Sequence, residues 1–372
     1  MKTSLILTLG ALCVLSLVWL GYPLGIRLWA WISPNPIRPD YESGSHRLVT
    51  IVLATRESAA AITERVANLL DSEHPAENLR VVVTLDREGA KATPADLGAL
   101  PACASVVIGD APGGKACTLN AGVRAASGDV LVMADTAQRF NRHTIPELVA
   151  HLEDERFGAV SGALDLDGGH SWSPVGLYWR VEKWLRYHEA VVHSSVGVTG
   201  AVYATRRRCW PVIPAGALLD DVYVPMALVL SGWRIGFARH AYARDTRAFN
   251  AAAESQRKSR TLTGVLQLHS LLPQVLGPNN PVRTQYVLHK LARLTTPVWG
   301  IVGAIGAAGL AVQLGISFPR ETGGVAATLL LLVLLSPRLR RAVTYGTSWV
   351  VGMQLAILRA MRNGLQKRWR VW

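Results

Sequence analysis

Cysteine is scarce, 4 residues in 372, and Cys103, Cys117 and Cys209 form no CxxC pair and no metal-ligand spacing. A disulfide framework and a zinc module are thereby excluded, and the three read as buried thiols of a reducing compartment. Cys13 follows a leucine that spoils a lipoprotein processing site, so no lipid anchor is expected there. Acidic residues are also few, 26 against 39 Lys and Arg, for a formal net charge of +13. No recognition helix, zinc finger or aromatic-basic strand accompanies that excess, which argues against a nucleic-acid partner. The cations gather instead beside apolar segments (Arg338, Arg340, Arg341; Arg362, Lys367, Arg368, Arg370), where the positive-inside rule and anionic lipid account for them. Internal repeats and low-complexity tracts are absent.

What the chain has in plenty is apolar sequence, 50% of its residues. Four uncharged stretches stand out: Thr3 to Ile26, Leu294 to Pro319, Thr322 to Pro337 and Ala342 to Leu358. A span needs about 20 residues, so the first two are long enough, the third is short, and the fourth suits a basic segment lying on the membrane surface. The first lacks a small-x-small cleavage site and leaves through Trp19, Tyr22, Trp29 and Trp31, an interfacial belt, so it reads as a retained anchor rather than a signal peptide. The Pro-rich ISPNPIRPD, Ile32 to Asp40, is a stiff linker. A cytoplasmic domain makes the charge bias self-consistent, with Arg338, Arg340 and Arg341 inside.

Between the apolar ends, strand and helix patterns alternate. LVTIVLA (Leu48 to Ala54) leads through Thr55-Arg56-Glu57 into a helix with Ile62, Val66, Leu69 and Leu70 on one face. Strand Leu79 to Leu85 ends at Asp86, and strand Ala104 to Ile108 ends at a Gly-rich turn. A helix from Lys115 and a buried strand, Val130 to Met133, then deliver Asp135. Polar tips past successive parallel strands converge on a crevice, so Thr55, Glu57, Asp86, Lys115 and Asp135 mark a site for a nucleotide or metal. GDAPGGK (Gly109 to Lys115) mimics a phosphate loop, but Ala116 supplies no hydroxyl for Mg²⁺. An NTPase drops to a third reading, while a diphosphate cradle near Lys115 stands.

GGKACTLNAG, GDVLVMADTAQRF, GVTGAVYATRR, LLDDVYVPMALVLSGWRI and ESQRKSRTLTG, in this order, resemble segments of family 2 glycosyltransferases: membrane-anchored inverting enzymes akin to cellulose, hyaluronan and poly-N-acetylglucosamine synthases and to ceramide glucosyltransferase. The resemblance implies a Rossmann-like α/β domain of GT-A type with membrane helices at both ends. The divisions are 1–31 N-terminal anchor, 32–45 linker, 46–265 catalytic domain, 266–293 interfacial helices, 294–337 two membrane helices, and 338–372 a basic interfacial or membrane segment. It implies a nucleotide-sugar donor, a UDP-sugar, and a lipid-linked or polysaccharide acceptor at the cytoplasmic face of a bacterial inner membrane. Asp221 would be the base, with Asp220 beside it either assisting or serving as helix N-cap. Thr55, Glu57 and Asp86 would hold base and ribose, Lys115 the phosphates, and Asp135 the ribose or a Mg²⁺ or Mn²⁺ ion. Gly200 belongs to the acceptor segment. Arg257 and Arg260, i and i+3 on a helix edge, would meet a diphosphate or acceptor phosphate, or else lie beside lipid headgroups.

One departure is specific. Ala137 stands where the family's second metal-binding Asp is expected, and its side chain has no oxygen. A catalytically impaired nucleotide-sugar-binding protein therefore stays open as the alternative. Asp165-Leu166-Asp167 falls past the next strand, and His188 and His193 are five residues apart, which is no zincin spacing. The aromatics of GLYWRVEKWLRYHE (Tyr178, Trp179, Trp184, Tyr187) fit an amphipathic interfacial helix or a sugar-stacking surface.

Overall fold

The computed structural model describes residues 1–166, 174–245, 251–320 and 335–367, with single positions at 322, 324, 332 and 369. Four strands lie where the apolar runs place them, to within a residue: β1 Val49–Thr55, β2 Leu79–Leu85, β3 Ala104–Ile108 and β4 Val130–Ala134. β1, β2 and β4 are buried almost throughout, as continuous apolar runs in a parallel sheet covered on both faces must be. The chain adds β5 Gln138–Phe140, β6 Phe157–Leu166, β7 Val202–Arg206 and β8 Arg234–Asp245. All join one sheet in the order β3-β2-β1-β4-β7-β6-β8-β5. The β3-β2-β1-β4 half is parallel, and β7 is inserted antiparallel to both β4 and β6. Because β2 and β3 extend from one side of β1 and β4 lies on the other, the topological switch falls between β1 and β4, where open sheets bind ligands.

Nine of the helices matter below: α1 Lys2–Ile32, α2 Ala59–Leu70, α3 Lys115–Ala125, α4 Thr144–Leu152, α5 Pro174–Val192, α6 Asp220–Leu230, α7 Ala251–Leu271, α8 over 283–294 and α9 Thr296–Ser317. Ile62, Val66 and Leu69 of α2, at i, i+4 and i+7, pack with Ile145 and Leu148 of α4 on one sheet face. On the other face, Leu119 and Val123 of α3 and Val222, Met226 and Val229 of α6 belong to one apolar core. The turn into α3 needs Gly113 and Gly114, whose φ angles of 95° and 88° lie in the left-handed region. Of the cysteines, Cys117 is buried on α3, whereas Cys103 and Cys209 are partly exposed and Cys13 is exposed.

α1 and α9 are long and apolar enough to cross a membrane. They approach closely along small residues. A Cβ on Gly306 would lie 2.5 Å from Thr8 Oγ1 and 2.7 Å from its backbone nitrogen, and one on Gly303 would lie 3.1 Å from Ala11 Cβ. Most of the stretch 322–337, expected as another membrane helix, lies outside the described residues. The basic C-terminal segment forms one helix, α10, Pro337–Leu365. Its Ala356, Ile357 and Ala360 are buried, Asn363 Nδ2 donates to Thr263 Oγ1 of α7, and Leu339, Val351, Leu355 and Leu358 stay exposed.

Candidate active site

The strand register brings the expected tips to one edge. Thr55 pairs with Leu85, Leu85 with Ile108 and Leu53 with Ala134, so Thr55, Asp86, Gly109 and Asp135 leave the sheet together. β7 runs the opposite way, and its start, Val202, is paired with Ala134, which returns Gly200 to this edge. Lys115, the first residue of α3, reaches across: its Nζ is 3.2 Å from Asp135 Oδ1 and 3.5 Å from Asp220 Oδ2. A Cβ on Gly200 would sit 3.3 Å from Asp221 Cβ and 3.7 Å from Lys115 Nζ, so only glycine leaves the gap between them open. Asp135, Lys115, Gly200, Asp220 and Asp221 are thus one constellation assembled from four separate segments.

Its charges are strongly coupled. Burial works against the Lys115 ammonium, but Asp135, Asp220 and Asp221 outweigh it and hold the pKa above the ordinary lysine value. Asp221 is pushed up by burial and by Asp220, while Lys115, Arg186 and Lys290 pull the other way. A carboxylate made more basic in this way suits proton abstraction. Beneath them, Tyr203 is fully buried with no hydrogen-bond partner for its hydroxyl among the described residues, and burial together with Asp220, Asp221 and Asp135 keeps that phenol protonated. Asp220 is not the N-cap of α6: Leu219 occupies that position and Asp220 is already the first helical residue, freeing its carboxylate to face Lys115.

The remaining predicted residues divide. Asp86 accepts from the amides of Glu88 and Gly114, both at 2.9 Å, and from Thr118 Oγ1 and Arg56 Nη2, both at 3.2 Å. Burial opposes its ionisation, yet these donors hold its carboxyl below the usual range. It therefore organises the Gly-Gly turn, and the Gly114 amide, a donor the phosphate-cradle reading would use, is already spent on it. Thr55 Oγ1 accepts from Thr136 Oγ1 at 2.7 Å and from the Glu57 amide, and Glu57 pairs with Lys91 at 3.0 Å on the rim. Arg257 and Arg260 lie on α7, where the Arg257 guanidinium stands over the Trp179 ring at 5.8 Å. Asp165 lies within β6 rather than past it, opposite Arg244, because the strand continues to Leu166. Asp167 is outside the described residues. His188 stacks on Trp184 and His193 faces Ser194, so the two share no centre.

Arg65 escaped the sequence reading. Fully buried on α2, it donates from Nε to the Asp135 carbonyl at 2.9 Å and lies 4.3 Å over the Phe140 ring. Burial, with Arg139 adding, lowers it to about 9. An arginine one position before the apolar Val66 was the only signal, and it reads equally as a helix-surface charge.

Asp135 is the carboxylate at the end of β4 available to a divalent ion. The Ala137 side chain offers no oxygen, and among the described residues no three His, Cys, Asp or Glu side chains are grouped so as to hold a metal ion by themselves. Yet among the described residues Asp220 Oδ2 has its ion pair with Lys115 and no hydrogen bond, and three carboxylates face one ammonium. These residues fit an ion that brings most of its coordination with its ligand, not one caged by the protein.

Comparison with known proteins agrees with this fold. No curated sequence matches the chain significantly. Among solved structures, the mannosyltransferase PcManGT from Pyrobaculum calidifontis, in complex with GDP-Man and Mn²⁺, is 20% identical with TM-score 0.69, covering 97% of this chain and 99% of its own. Glucosyl-3-phosphoglycerate synthase from Mycobacterium tuberculosis, with Mg²⁺ and UDP, is 17% identical with TM-score 0.42 over 64% of this chain and 86% of its own. The family model for "Glycosyltransferase like family 2" matches residues 46–264, more than half of the chain. With its mixed sheet of GT-A type and its acidic, lysine-bridged edge, this chain belongs to glycosyltransferase family 2 and is an enzyme of that class.

Proposed function

We propose that the chain transfers a sugar, with inversion, from a nucleotide sugar to a hydroxyl of a lipid-linked or polysaccharide acceptor at the cytoplasmic face of a membrane. The observation that carries this reading is the meeting of Lys115 with Asp135, Asp220 and Asp221 at the switch-point edge. The donor diphosphate lies along the β1 and β4 ends, beside the Lys115 ammonium. Asp221 takes the acceptor proton as the acceptor oxygen attacks the anomeric carbon from the opposite face. The bond to the diphosphate breaks, and the nucleoside diphosphate leaves with the electron pair, its charge met by Lys115. A single displacement inverts the centre. Gly200 leaves room for the acceptor beside Asp221, and Arg257, over the Trp179 ring, is a candidate for a further contact with phosphate. A Mg²⁺ or Mn²⁺ ion would be held by Asp135 together with donor oxygens and would supply additional neutralisation of the leaving group. α1 and α9 supply the membrane attachment, and nucleotide sugars, being cytosolic, require the domain on that side.

The test is turnover by the full chain in lipid nanodiscs, given a panel of UDP- and GDP-sugars with a membrane lipid extract. Nucleoside diphosphate release coupled to sugar appearing in lipid or polymer is expected, with a UDP-sugar as the preferred donor. Donor binding without turnover of any panel member would establish the impaired, ligand-binding reading instead. Hydrolysis of a nucleoside triphosphate in place of transfer would refute both.

A further inference from the structure

A second set of buried charges lies between the catalytic domain and the apolar helices, and the transfer chemistry uses none of it. α5 presents Glu182, Arg186 and Glu189 at i, i+4 and i+7, hence on one face. Glu182 is 4% exposed and Glu189 fully buried. Glu189 accepts from the Tyr22 hydroxyl of α1 at 2.5 Å, and His289 Nδ1 of α8 lies 2.8 Å away. The other ring nitrogen of His289 is 3.0 Å from Glu182, which also meets Arg293 Nη1 at 3.0 Å, Arg186 Nε at 3.2 Å and Lys290 Nζ at 3.4 Å. Arg293 stands 4.9 Å over the Trp19 ring of α1, and the Trp19 indole donates to Thr296 Oγ1 at the start of α9 at 3.3 Å. Both apolar helices are thereby tied to one carboxylate.

From Glu182 the contacts continue to the candidate base. Arg186 Nη1 is 3.4 Å from Thr199 Oγ1, while the Thr199 amide donates to Ser161 Oγ and its hydroxyl to the Gly162 carbonyl, both at 2.9 Å. The preceding Val198 amide donates to the Asp221 carbonyl at 2.9 Å, and at the following Gly200 an added Cβ would come within 3.3 Å of Asp221 Cβ. Burying two carboxylates with four basic side chains costs desolvation that an apolar seam would avoid, so stability is a weak reason for such a cluster and a defined geometry is a better one.

We propose that Glu182 and Arg186 are positioning residues: they fix the 198–200 turn and, through it, the orientation of Asp221, so that the seating of α1 and α9 sets the geometry of the base. The proposal rests on the assignment of Asp221 above. It is tested on full-length R186Q, R186K and E182Q in nanodiscs by two readouts, amide hydrogen exchange over 196–202 and the pH dependence of kcat and donor KM with the sugar nucleotide turned over by wild type. For R186Q and E182Q we expect faster exchange at Val198 and Thr199 with β1 and β4 unchanged. Turnover should drop roughly 10- to 100-fold at constant donor KM, the loss that follows displacement of a reacting group by an ångström. In R186Q the acid limb of kcat moves to higher pH, because burial and Asp220 raise Asp221 and one of the cations opposing them, with Lys115 and Lys290, is gone. R186K keeps the charge, so its acid limb stays in place while part of kcat is lost; this variant decides the matter if R186Q does not fold. A lower melting temperature with unchanged exchange over 196–202 and unchanged kcat would overturn the proposal, as would kcat and donor affinity falling together. Absence of turnover in wild type would sink the proposed function, and exchange would still decide whether Arg186 holds the turn.

Discussion

Replacing Asp221 with asparagine keeps the size of the side chain and removes its capacity to take a proton. The perturbation is local. The Asp221 carbonyl still receives the Val198 amide, and Lys115 keeps its contacts with Asp135 at 3.2 Å and Asp220 at 3.5 Å. Donor affinity should therefore stay within about threefold, since a single lost charge-assisted contact would cost about 1.5 kcal/mol or more. Loss of a general base lowers kcat by roughly 10²- to 10⁴-fold, about 3 to 5 kcal/mol of barrier. Stability should move the other way. Burial and Asp220 raise the Asp221 pKa, so the folded state binds its proton more tightly than the unfolded chain, and ionising it destabilises the fold. That cost is absent below the ordinary carboxylate pKa of 3.8 and grows as pH rises through the folded value. Asp221→Asn should thus melt higher than wild type at pH 7, with the difference vanishing toward pH 4. Steady-state kinetics, nucleoside diphosphate calorimetry and thermal unfolding at two pH values check the three parts. Near-wild-type kcat, or a loss of donor affinity matching the loss of kcat, would refute the assignment.

Lys115→Met leaves Asp135, Asp220 and Asp221 without their ammonium, so nucleoside diphosphate affinity should fall roughly 10- to 100-fold, measured by calorimetry, and Asp221 should titrate at still higher pH. Ala137→Asp adds a hard oxygen beyond β4; half-maximal Mn²⁺ for activity should decrease, and chelator should inhibit the wild type at lower concentration than the variant. Gly306→Ala forces a methyl to within 2.5 Å of Thr8 Oγ1 and 2.7 Å of its backbone nitrogen, and should cost about 1 to 3 kcal/mol of α1–α9 packing, read as a lower melting temperature in detergent with kcat/KM for the donor little changed.

Much of this molecule was legible from local pattern. Buried parallel strands must be continuous apolar runs, so LVTIVLA, the run at Leu79 and the run at Val130 announced β1, β2 and β4, and the polar residue ending each run marked the sheet edge that carries the candidate site. Gly113-Gly114 could be recognised because only glycine is at ease at their positive φ. The order of five short segments was enough to indicate the family. Other features depended on partners far apart in the chain. That β7 runs antiparallel beside β4, returning Gly200 to face Lys115 and Asp221, follows from sheet pairing between segments some seventy residues apart, which no local period encodes. Asp86 looked like a ligand for the donor, and its engagement by the Gly-Gly turn was not legible, because Arg56, Gly114 and Thr118, from two other segments, meet it only after folding. Glu182, Arg186 and Glu189 lie within GLYWRVEKWLRYHE, a segment that read as an amphipathic interfacial helix. Only packing against Tyr22 and His289 turned these three inward, where low dielectric and scarce water make every charge depend on its neighbours.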